Sequence, residues 1–104
     1  MADAYYQNLE RTLRETRMHV HDSFSNPGDP RARVIYNELE KAENMAQGQQ
    51  HLRSIEDHLK SVQTLLRQAE HDPSDNRVMN IGHADAHYHN LEHLRMDIRR
   101  QPHY

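Results

Sequence analysis

The chain has 104 residues, 13 basic and 16 acidic, a net charge of −3 with histidine neutral, and no cysteine. This length supports one domain. The charge gives no general attraction to DNA or anionic lipid, and the missing thiols exclude disulfides, a thiolate nucleophile and cysteine-bound metal centres.

Three Gly and four Pro punctuate the sequence, and between them the apolar period is 3.6 rather than 2, which predicts an all-α fold. The first segment, about 3–24, puts Tyr6, Leu9, Leu13, Thr16, Val20 and Phe24 on one face, with Asp3 as its expected cap. Ser25-Asn26-Pro27-Gly28-Asp29-Pro30 reads as a turn, since Pro fixes φ, Gly tolerates positive φ and the residue before Pro avoids the helical region. The second segment, about 30–46, opens with a capping Asp29 and Pro30 at the first helical position, and carries Ile35, Leu39, Ala42 and Ala46. Gly48 in Gln47-Gly48-Gln49-Gln50 either ends this helix or is tolerated inside a longer one.

The third segment, about 50–71, has the cleanest pattern: Leu52, Ile55, Leu59, Val62, Leu66 and Ala69 alternate at spacings of three and four, an a/d seam. A second turn follows at Asp72-Pro73-Ser74-Asp75-Asn76, and a fourth helix over about 76–100 presents Ala84, Tyr88, Leu91, Leu94 and Ile98 before Pro102. The expected architecture is a four-helix up-down bundle. The alternative is three helices, with one long central helix running through Gly48 and the fold completed by dimerisation.

Leu, Ile, Val and Phe number 18 of 104, below the roughly one-fifth typical of chains that bury their own core. Such a thin core predicts self-association, with Leu52, Ile55, Leu59, Val62, Leu66, Leu91, Leu94 and Ile98 as the interface. No apolar run reaches the length of about 18 residues that spans a bilayer. The start, Met1-Ala2-Asp3-Ala4-Tyr5-Tyr6, has neither the basic nor the apolar region of a signal peptide, so a cytoplasmic setting is expected.

Ten histidines are the chemically distinctive feature, because imidazole alone has an ordinary pKa inside the physiological window. His83/His87 and His89/His93 form two i, i+4 pairs that share helix faces, the spacing with which two imidazoles reach one zinc or nickel ion. His89-Asn90-Leu91-Glu92-His93 also spells the inverted zinc-protease pattern, but the chain is too short for that fold, and a composition this rich in His makes about one such pair by chance. With Leu91 inward, His89 and His93 point outward while His83 and His87 sit at the core edge. An antiparallel fourth helix is expected to bring His83 and His87 to His51 and His58 as a mixed metal site.

Other chemistry is poorly supplied. Gly28, Gly48 and Gly82 are isolated, so there is no phosphate loop. Carboxylates such as Glu38, Glu43 and Glu56 lack the Glu-x-x-His partner of a di-iron bundle. Arg11, Arg14 and Arg17 read as a solvated basic face or oligomer rim. Asp3–Glu10 recurs as Asp85–Glu92 with six identities in eight, a reuse of Tyr and Leu for helix packing that predicts similar core-edge places for Tyr6 and Tyr88. The expectation is a non-catalytic helical interaction module that associates with itself and with another protein. A His-rich metal-binding or pH-sensing protein is the alternative.

Overall fold

The computed structural model describes residues 2–24, 30–70, 81–102 and 104. Four helices follow in order: α1 (Ala2–Asp22), α2 (Pro30–Gln47), α3 (Leu52–Glu70) and α4 (Ile81–Arg99). Both proline turns lie outside the described residues. So do residues 76–80, where the fourth helix was expected to begin. α1 starts at Ala2, so Asp3 falls inside the helix and is not its cap, whereas Pro30 does open α2.

Side-chain pairings set the topology. Arg17 reaches Tyr36 and Arg14 reaches Glu43; His58 reaches Glu38; Arg67 reaches Asp85 and Arg95 reaches Glu56. Between α1 and α2, and between α3 and α4, one residue number rises as the other falls, and the short reversal between Gln47 and Leu52 with His58 against Glu38 lays α3 back along α2, so the helices alternate up and down. The long central helix is therefore not formed: the chain reverses between Gln47 and Leu52. Backbones pack closely for α1 on α2, α2 on α3 and α3 on α4. α1 and α4 meet through side chains, with Ser23 against His87 at one end and Tyr5 beside Asp97 at the other.

The reversal is a Schellman motif. The Gln50 amide donates to the Met45 carbonyl at 2.9 Å and the Gln49 amide to Ala46 at 3.1 Å. The left-handed residue is Gln49, at φ 52°, and not Gly48. The His51 carbonyl then accepts from Ser54 and Ile55, opening α3. Tyr6 pins the start of α1 to this turn by donating to the Gln50 carbonyl at 2.8 Å.

The core corrects the expectation of an incomplete one. Tyr6, Leu9, Leu13, Val20 and Phe24 of the first segment are buried, as are Ile35, Leu39, Ala42 and Ala46. Leu52, Ile55, Leu59, Val62, Leu66, Leu91 and Ile98 are at most 1% exposed, and Leu94 packs against them partly buried. The expected interface residues are thus consumed inside one chain. Few large side chains suffice because nearly all are used, each contributing about 1.5–3 kcal/mol on burial, and because alanines at 32, 42, 46, 69 and 84 let the helices approach. The exposed large apolar side chains among the described residues are Met18, Val34 and Met96.

Candidate functional site

The four histidines expected to share a metal are not brought together. The α3/α4 register sets Glu56 against Arg95 and Arg99, and Arg67 against Asp85. That places His83 at the opposite end of the hairpin from His51. His51 is exposed and precedes α3 rather than flanking its seam. His58 turns to α2, where its Nδ1 lies 2.6 Å from the Glu38 carboxylate. His83 is exposed, not at the core edge. His89 and His93 are exposed as expected, but His89 pairs with Asp85 at 3.3 Å. Among the described residues no group of three or more His, Cys, Asp or Glu stands ready to hold a metal ion.

His87 is half-buried and faces α1. The Ser23 hydroxyl donates to the His19 carbonyl at 2.9 Å, so its lone pair accepts from the His87 Nε2–H at 3.0 Å. Burial lowers the His87 pKa below 6.5, and the neighbouring His83 and His19 lower it further by like-charge repulsion.

The buried charges are glutamates, and each is held by two arginines. Glu56, 3% exposed, takes Arg99 Nε at 2.7 Å and Arg95 Nη2 at 3.1 Å on one oxygen, while the Tyr104 hydroxyl donates to the other. Glu43, 8% exposed, takes Arg17 Nε at 2.7 Å and Arg14 Nε at 3.1 Å. Burial alone would raise both carboxyl pKa values. The hydrogen bonds from Tyr104, Arg99 and Arg95 at Glu56, and from Arg17 and Arg14 at Glu43, overcome it and hold both below 4.5. Arg14 and Arg17 are therefore structural partners of α2 and not a solvated ribbon. These clamps were missed because Glu43 and Glu56 sit beside the apolar stripe. The available signal was spacing: Glu56 and Gln63 are seven apart, each directly after a seam residue, Ile55 or Val62.

Gln63 extends the second clamp. Buried to 3% exposure, it donates to the Tyr88 carbonyl at 3.1 Å and to Glu92 at 2.9 Å, and accepts from Arg95 at 2.6 Å. Tyr88 lies beneath Arg67, whose guanidinium carbon is 3.7 Å from the ring centroid. Tyr6 and Tyr88 both line the core, although Tyr6 is buried and Tyr88 only partly so. Along the outer side of α3 and α4 these residues border a groove of about 470 Å³ lined by Lys60, Gln63, Thr64, Arg67, Gln68, Tyr88 and Arg95. Its lining surface is mostly carbon, and its charged lining groups are all cationic.

No known protein family, curated protein or solved structure matches this chain. Among the described residues no helix is long and apolar enough to cross a membrane.

Proposed function

We propose that the chain is a small non-catalytic helical interaction module, an adaptor, regulator or complex subunit that works by docking on another protein in the cytoplasm. The observation that carries this reading is the division of labour between interior and surface. The buried carboxylates are neutralised by arginines within the fold, while an open groove along α3 and α4, bordered by Arg95 of one of these clamps, presents Lys60, Arg67 and the Tyr88 ring. Self-association is the weaker part of the proposal, because the seam assigned to it is internal. Capture of the tagged chain from its native cell, with the mass of the complex measured by light scattering, tests both parts. One stoichiometric partner supports the module. A chain that runs alone, or that turns over a substrate, overturns it.

A second reading rests on His19, His83 and His87 at the α1/α4 edge. It makes the chain a pH-sensing protein, or a zinc- or nickel-binding one only if the metal itself gathers ligands that the described residues do not hold together. Calorimetric titration of each metal into the wild type and His83→Ala/His87→Ala separates it from the first; equal weak heats in both remove the metal.

A further inference from the structure

We infer that the α3/α4 groove is the docking site, and that its occupant is an acidic protein segment with apolar anchor residues. This inference rests on the interaction-module reading and names the partner's chemistry. Charge complementarity carries it. Lys60 on α3, Arg67 two turns further along, and Arg95 on α4 ring the groove, and an apolar lining between cationic rims matches a segment whose greasy side chains lie between carboxylates. Two of the cations are pre-positioned. Arg95 is fixed by Glu56 and Gln63, and Arg67 is laid over Tyr88 with Asp85 at 3.3 Å. Asp85 and Glu92 flank the groove and temper these two charges. Lys60 is exposed, with no ion-pair partner among the described residues, so its ammonium is the uncommitted charge.

The rest of the molecule sharpens the test. With a net charge of −3, the chain has no overall attraction for an anionic segment, so binding depends on a local patch; a second groove lined by Arg14, Arg17, His21 and Tyr36 lies between α1 and α2, and the amide shifts tell the two apart. Lys41 on α2 is an exposed lysine outside both grooves, already answered by Glu38 at 3.6 Å, and serves as the charge-matched control.

The experiment titrates a labelled peptide of repeated Glu-Glu-Leu triplets into the intact chain, read by fluorescence anisotropy and by backbone amide chemical shifts. Binding is expected to perturb amides around Lys60, Thr64, Arg67 and Tyr88. Lys60→Glu should weaken it about fivefold or more, and Lys41→Glu less than about twofold. Equal loss in both variants, equal binding of a Lys-Lys-Leu peptide, or no binding at all overturns the inference. So does reproduction of the same shifts by inorganic phosphate alone, which would make the groove a small-anion site. The two readings fail separately: a native partner captured with undiminished affinity by the Lys60→Glu chain leaves the module standing and removes the groove.

Discussion

Ser23, just past the end of α1, and His87 on α4 are joined by a hydrogen bond of 3.0 Å, across the pair of neighbouring helices whose described backbones do not pack closely. Burial, and the like charge of two nearby histidines, hold the pKa of this imidazole below its ordinary 6.5. A base whose folded pKa lies below its unfolded value binds fewer protons folded than unfolded, so stability rises with pH through that window. Folding is unopposed above about 6.5 and is progressively opposed as the pH falls below it. His87→Gln, whose amide can still donate to Ser23, should flatten the decline of the urea midpoint between neutral and mildly acidic pH. An unchanged slope shows that His87 does not sense acid.

The two clamped glutamates act lower on the pH scale and in the same direction. Their folded pKa values lie below 4.5, so their contribution is complete above that value and is lost as the pH falls through the folded values. Glu56→Gln strands Arg95 and should cost about 2–3 kcal/mol in denaturant unfolding. Glu43→Gln should cost less, about 1–2 kcal/mol, because Glu43 and its inner partner Arg17 are less deeply buried than Glu56 and Arg95. A smaller loss at Glu56 than at Glu43 contradicts the burial argument.

The α2–α3 turn offers a stabilising change. Gln49 holds φ 52° where glycine is preferred, while a Cβ added at Gly48 meets nothing closer than 3.6 Å. Gln49→Gly and Gly48→Ala should each stabilise by about 0.5–1 kcal/mol, the first by relieving the left-handed backbone and the second by reducing unfolded-state freedom. Thermal melts of the single variants and the double swap measure this.

Leu59 is fully buried at the centre of the seam. Leu59→Ala should cost about 2–5 kcal/mol through transfer and cavity terms, with no change of molecular mass in light scattering. A native monomer released from an oligomer by this substitution returns the seam to an intermolecular role.

Much of the fold was legible because helical amphipathicity is a local property. The spacing of Leu52 to Ala69 needed no partner to reveal α3, and Pro30 marked α2 by its fixed φ and missing amide. What failed was register. Whether His58 meets His87 or Glu38 depends on which neighbour its flank faces, and that is set by packing 20 residues away in sequence. The arginine clamps were hidden for the same reason: Arg17 finds Glu43 across 26 residues, whereas its local spacing with Arg11 and Arg14 read as a solvated face or oligomer rim. The thin-core argument failed on a different point, counting large side chains without asking how completely each is enclosed or how many alanines sit at the helix contacts.

Both arginine–glutamate clamps lie toward the end of the rod that holds the Schellman turn, whereas Ser23 and His87 tie the far end with an uncharged bond. Mild acid is therefore expected to loosen the described residues first at the His87 end, the C-terminal end of α1 and the N-terminal end of α4 fraying before the clamped end. Graded acidification should consequently yield a half-frayed species with ordered amides around the turn, visible as a protection gradient in hydrogen exchange, well before the whole rod comes apart.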